Sequence, residues 1–138
     1  MKKFRISRIC TVTFSPCGNV STLALFLAKE LSGRLSLPVE TYDFTLPRLR
    51  TGDFIFQTTD LVIVGTPVYA GRVPNKIMPY IQDHFQGNDG IAIPIVAFGN
   101  RSYDNALVEL RNLLENNAFH TIAAAAVSTS HSFSDQIG

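Results

Sequence analysis

The sequence has no tryptophan, only two cysteines, no marked excess of charge of either sign and no long apolar run. Cys10 and Cys17 are too few for a disulfide scaffold and fall short of the four ligands of a structural zinc site, so a reducing, cytoplasmic compartment is expected. Twelve basic side chains against 11 acidic ones leave a formal net charge of +1. Such a balance offers no cationic surface for a run of phosphates, and nucleic acid is not an expected partner. No apolar stretch approaches the ~20 residues that cross a bilayer, so no membrane partner is expected either. The opening MKKFRISRIC has the basic start of a signal peptide, but Arg8 interrupts it and the apolar run at 9–14 is shorter than a signal core. That run reads as a first strand.

What is present is a chain of 138 residues, 46% hydrophobic and 17% charged, the size and apolarity of one domain with one core. Strand-length apolar runs recur at 9–14, 39–42, 61–65, 91–98 and 121–127. Between them, apolar residues return with helical spacing at Val20, Leu23, Ala24, Leu27 and Leu31, then at Ile77, Met78, Ile81 and Phe85, then at Ala106, Leu107, Leu110, Leu113 and Leu114. Pro74 is placed to begin the second helix, with Pro79 bending it. The turn Gly87-Asn88-Asp89-Gly90 leads into the fourth strand. Residues 44–59, with Pro47, Arg48, Arg50 and Gly52, carry no helical stripe and read as a loop in place of a helix.

Strands apolar on both faces, alternating with helices, predict an α/β fold: a doubly wound five-stranded parallel sheet of order 2-1-3-4-5. The eleven residues after the last strand leave no room for a final helix. The chain is therefore read as one domain over 1–138, either truncated from a longer protein or covered at that face by a partner.

In such a sheet ligands bind beyond the carboxyl ends of the strands where the winding reverses, which singles out the loops after strands one, three and four. The first, Ser15-Pro16-Cys17-Gly18-Asn19-Val20-Ser21-Thr22, runs into a helix and offers backbone N–H groups, a glycine and neutral hydroxyl and amide side chains. It holds no lysine or arginine, which suits one phosphate monoester better than a triphosphate with its metal. The second, Thr66-Pro67-Val68-Tyr69-Ala70-Gly71-Arg72-Val73-Pro74, presents a tyrosine on which a planar ring could stack and a glycine free to turn its peptide. The third, Gly99-Asn100-Arg101-Ser102-Tyr103-Asp104-Asn105, adds a second tyrosine. Each loop alone is equally an ordinary helix cap or surface turn; their conjunction after the right three strands carries the inference.

SPCGNVST resembles the phosphate loop of flavodoxins, and TPVYAGRVP with FGNRSYDNAL resembles their two ring-binding loops. The wording PVYAGRVP, GNRSYDNAL and HSFS is similar to flavodoxin-like domains of anaerobic bacteria that are followed by a ferredoxin-type iron–sulfur domain. The resemblance covers nearly the whole chain, from about Thr11 onward. It implies FMN as cofactor, with Ser15, Pro16, Cys17, Gly18, Asn19, Val20 and Ser21 around the phosphate. Pro67, Val68, Tyr69, Ala70 and Gly71, with Gly99, Asn100, Arg101 and Tyr103, would frame the isoalloxazine, Gly71 or Ala70 facing flavin N5. It also implies electron transfer to a redox partner protein or a fused iron–sulfur domain. The sequence departs from classical flavodoxins in lacking tryptophan, in placing Cys17 where threonine is usual, and in its near neutrality, which fits a tethered partner better than one found by long-range charge.

No catalytic acid or base is required, since the flavin supplies the chemistry. Arg72, Arg101 and His131 are candidates to touch the ring or a partner. The alternative of the same fold is a flavin-dependent NAD(P)H or quinone oxidoreductase. A tyrosine phosphatase would need an arginine closing the loop around its cysteine. A phospho-acceptor regulator would need an aspartate at the carboxyl end of strand three, and Asp60 lies at the other end.

Overall fold

The computed structural model describes residues 5–99 and 105–128. Its elements, in chain order, are β1 (Arg8–Thr13), α1 (Asn19–Leu35), β2 (Val39–Asp43), a 3-10 turn (Pro47–Leu49), β3 (Phe54–Ile55), β4 (Asp60–Pro67), α2 (Met78–His84), β5 (Phe85–Gln86), β6 (Ile91–Phe98), α3 (Ala106–Asn116), β7 (His120–Thr121) and β8 (Ala125–Ser128). The main sheet is parallel and runs β2-β1-β4-β6, with β7 and β8 sharing the far edge of β6. This is the expected 2-1-3-4-5 order with the fifth position broken in two.

The break has a local cause. Between the paired stretches, β6 advances from Ala92 to Ile95 while the edge advances from Thr121 to Ala125, one residue more, so the edge bulges. The Ala92 carbonyl accepts from the Ile122 amide, so that face of β6 points at the edge. Pro94, two residues on, points the same way and has no N–H to donate.

Each central strand buries both of its faces. Ile9, Leu61, Ile63, Ile91, Ile93 and Ile95 meet Ala24 and Ala28 of α1. Val12, Val62, Val64, Ala92 and Val96 pack on the opposite side with Ile77, Ile81, Leu110 and Leu114. Period-two alternation of the sheet thus meets the helical stripes read from the sequence.

The second helix begins later than expected. Ile77 is its N-cap and Pro79 sits in its first turn, where a missing N–H costs nothing, so Pro79 starts the helix rather than bending it. Pro74 belongs to the preceding turn, its carbonyl accepting from the Ile77 amide at 3.1 Å.

Residues 44–59 do replace a helix, but they are not bare. Phe54 pairs in register with Phe85 across the small parallel β3–β5 sheet. Phe44 meets Phe85 edge-on at 5.2 Å and Tyr80 at 6.0 Å. Burying phenylalanines does for this segment what an apolar helical stripe would do.

Candidate functional site

The first loop owes its shape to its glycine and its serine. Gly18 caps α1 in the left-handed region, φ 83°, where a side chain would be strained. Its carbonyl accepts from the Ser21 and Thr22 hydroxyls at 3.0 and 2.8 Å. The Ser15 Oγ accepts the Ser21 amide at 3.0 Å, taking up one of the N–H groups that a helix start leaves unpaired. Ser21 and Thr22 are therefore committed to the loop itself. Among the described residues, the amides of Cys17, Asn19 and Val20 have no protein acceptor, and the Ser15 hydroxyl keeps its proton to give.

The position of α1 is set by Gly65 of β4. A Cβ there would lie 2.6 Å from Val20 Cγ1 and 3.1 Å from Ile95 Cγ1, so the missing side chain lets the start of α1 settle onto the sheet. This brings the first loop level with the ends of β4 and β6.

The second loop turns at Ala70 and Gly71, with φ of 52° and 77°. Tyr69 and Arg72 exchange both backbone hydrogen bonds, at 2.8 and 3.0 Å, closing a two-residue hairpin of the type that needs positive φ at both central residues. Gly71 takes this without cost, whereas Ala70 is strained there, the kind of strain that collects at ligand sites. The turn is tied to α3: the Gly71 carbonyl accepts from the Asn105 amide at 3.2 Å. Glu109 accepts from Val73 N at 3.0 Å and from Arg72 Nε at 2.5 Å. Burial works against the Glu109 charge, but the Arg72 guanidinium and the Val73 amide outweigh it and hold the carboxyl below its ordinary range. Arg72, one of the candidates to touch a ring or a partner, is engaged within the fold by this ion pair.

These loops enclose a cleft of about 160 Å³. Ser15, Pro16, Cys17, Asn19 and Val20 form one wall; Pro67, Val68 and Tyr69 another; Ala97, Phe98 and Gly99 the floor. Tyr69 is 48% exposed, its ring free to take a flat ligand. Of the expected site residues, the structure gathers those from the first two loops together with Gly99. Gly18 and Ser21 shape the first wall, and Ala70 and Gly71 turn the second. Asn100, Arg101 and Tyr103 of the third loop, and His131, lie outside the described residues.

A second cleft was not expected from the sequence. It measures about 310 Å³ and lies on the other side of the first loop, between α1 and the ends of β1 and β2. Its lining is Thr11, Thr13, Ser15, Ser21, Thr22, Leu25, Thr41, Tyr42, Asp43 and Thr45. The signal that could have found it is threonine at alternate positions, 11 and 13, of an otherwise apolar strand. Ser15 borders both clefts, and its amide is held at 2.8 Å by Thr45 Oγ1, itself hydrogen-bonded to Asp43 Oδ1 at 2.5 Å.

Set beside solved structures, the chain is similar to Flv1, a metal-soaked flavodiiron core from Synechocystis sp. PCC6803. The TM-score is 0.61 at 16% identity, over 91% of this chain and 31% of that one, so this chain spans less than a third of that protein's length. It is also similar to a candidate flavoprotein from Bacteroides uniformis, with a TM-score of 0.60 at 12% identity, over 96% of this chain and 99% of that one. Neither family models nor curated protein sequences gave a match. At such identities the likeness establishes the fold, which is flavodoxin-like: an α/β domain with a parallel central sheet.

Proposed function

We propose that this chain is an FMN-binding electron-transfer domain, its flavin held in the cleft between the first, second and third loops. The observation that carries the reading is the set of amides of Cys17, Asn19 and Val20, unpaired among the described residues, at the start of a 17-residue helix, their residues lining a cleft with an exposed tyrosine. Three N–H groups at the positive end of a helix, with the Ser15 hydroxyl beside them, suit the doubly charged phosphate of a flavin mononucleotide. The donors are neutral and preorganised, so binding needs no metal bridge. The names of the two similar proteins, a flavodiiron core and a candidate flavoprotein, favour a flavin over other phosphorylated ligands.

In this reading the residues of the chain bind and orient. Tyr69 stacks on the ring; the strained Ala70-Gly71 peptide presents a backbone group to its edge; Pro67 and Val68 keep water from one face. Glu109 and Asn105 hold that turn still, so the backbone group is placed before the ligand arrives. The bound flavin supplies one- and two-electron redox chemistry, and the protein sets its potential through stacking, hydrogen bonds and exposure. Electrons pass to a redox partner protein or to a fused iron–sulfur domain.

Titration with riboflavin and FMN, followed by flavin fluorescence and by the melting of the polypeptide, tests this. FMN should bind more tightly than riboflavin, and Asn19→Asp should weaken FMN far more than riboflavin because a new charge would face the phosphate. Equal losses for the two ligands would remove the phosphate from this loop. An unchanged melting curve and fluorescence with FMN would end the flavin reading.

A further inference from the structure

The second cleft asks for a ligand of its own. Thr11 and Thr13 are each 4% exposed, and neither side-chain hydroxyl has a hydrogen-bond partner among the described residues. Their oxygens are nevertheless not sealed off, since no buried side-chain polar atom is both enclosed and unpartnered among the described residues. Both hydroxyls therefore open onto the cleft they line. Hydroxyls recessed in this way, without a protein partner among the described residues and open to the cleft, are left to bond water or a ligand.

The rest of the lining says what that ligand is. Thr41 adds a third hydroxyl without a protein partner among the described residues. Asp43 ends β2, its Oδ1 taken by the Thr45 amide at 2.8 Å and the Thr45 hydroxyl, its other oxygen left to accept. Among the described residues no lysine, arginine or histidine lines the cleft, so they offer an anionic group no cation to pair with there. One carboxylate is too little charge for a dedicated divalent-cation cage, and no cluster of three or more metal-ligating side chains occurs among the described residues. Hydroxyls that both donate and accept, beside one carboxylate that only accepts, match an uncharged vicinal diol. An acidic side chain at the end of the second strand, beyond a phosphate loop, is also how doubly wound folds hold a ribose. The volume of about 310 Å³ lies at the lower end of the usual range for small-molecule sites.

We propose that this cleft binds the ribose of a nucleotide whose 5′-phosphate reaches the first loop from the β2 side, for which ADP serves as the probe. Ser15, shared by both clefts, marks the junction. The assignment rests on the reading of the first loop as a phosphate site, but not on a flavin occupying the other cleft. The same ribose could arrive as part of a flavin dinucleotide spanning both clefts or as part of a nicotinamide dinucleotide.

The experiment uses the full chain and ADP as probe. ADP should raise the melting temperature, and its 2′,3′-dideoxy analogue should bind at least about tenfold more weakly for each lost hydrogen bond. Thr13→Val should melt at or above the parent, because it removes a hydroxyl that bonds nothing among the described residues, yet lose ADP affinity by about tenfold while keeping riboflavin. Asp43→Asn, which retains the Oδ1 acceptor, provides the second variant. An FAD affinity above that of FMN, erased by Thr13→Val, identifies the flavin dinucleotide; NADH binding with the same sensitivity and no FAD advantage identifies the nicotinamide one. Equal binding of ADP and its dideoxy analogue, or a melting curve unmoved by millimolar ADP, overturns the proposal. A chain that binds ADP through these hydroxyls but not FMN loses the flavin reading and keeps the ribose cleft; one that binds FMN and ignores ADP does the reverse.

Discussion

The two ends of the sheet follow opposite rules. At the amino ends of the strands, Arg8 pairs with Asp60 through two hydrogen bonds of 2.7 and 3.2 Å, and its guanidinium also reaches Tyr42 Oη and Glu40. Asp60, 2% exposed, accepts the Gln57 amide as well. The hydrogen bond to Asp60 is the main reason the Arg8 pKa is raised, and the Arg8 guanidinium holds the Glu40 carboxyl below its ordinary range. At the carboxyl ends, amides at the start of α1 and hydroxyls at the ends of β1 and β2 are left unpaired among the described residues. The satisfied end holds the fold together; the unsatisfied end is where a ligand would complete the hydrogen bonding.

Thiol chemistry should separate the two environments most widely. Cys10 lies within β1 and burial pushes its pKa up to about 12, while Cys17 is exposed at the ligand end. Burial both hides the Cys10 thiol from reagent and keeps it protonated, so iodoacetamide should label Cys17 in the folded protein and leave Cys10 untouched. FMN should protect Cys17, and labelling of Cys10 at a comparable rate would mean that β1 is not packed as described. Next in size is Asp60→Ala, which removes the main partner of Arg8 and the acceptor of the Gln57 amide but leaves Arg8 its contacts with Glu40 and Tyr42, and should cost about 2 kcal/mol in urea unfolding while leaving affinity for FMN intact. A change in FMN affinity as large as the change in stability would dissolve the distinction between the ends. Gly18→Ala should cost about 1 kcal/mol through its left-handed backbone, with open space for the Cβ. Because the strain falls on the phosphate loop, FMN affinity should drop with it, and loss of stability alone would place the loop outside the site.

The smallest effect concerns pH. The Glu109 carboxyl is held below its ordinary value, so its grip on the second loop is complete above the unfolded carboxylate pKa of about 4.3 and is lost as pH falls through the lowered folded value. Hydrogen exchange at the Val73 amide, corrected for intrinsic rate, should therefore speed up on acidification within that window. Protection that persists unchanged below it would show the turn to be held by Asn105 and its own backbone instead.

Much of this molecule was legible in the chain. Period-two and helical spacing placed α1, α3, β1, β2, β4 and β6 to within a few residues, most clearly the central strands β1, β4 and β6, because burial on both faces of a parallel sheet leaves continuous apolar runs that little else produces. Pro79 misled because a proline starts a helix as readily as it bends one, and only the position of the N-cap decides between them. Pro94 was visible, but its effect on the edge strand depends on which neighbour its missing N–H would have faced, a matter of register. The role of Arg72 likewise turned on Glu109, 37 residues away in sequence.

The amino-acid sequence by itself determined the layers, the strand order and the three loops beyond the carboxyl ends, since these follow from local periodicity and from the handedness of parallel crossovers. Only the tertiary structure decided which polar groups remain free. Ser15, Ser21 and Thr22 look alike as letters, yet the hydroxyl protons of the last two are given to the Gly18 carbonyl, while Thr11 and Thr13, inconspicuous in a strand, keep theirs. Whether a hydroxyl is available to a ligand depends on every acceptor within about 3 Å, and those neighbours are brought there by the fold.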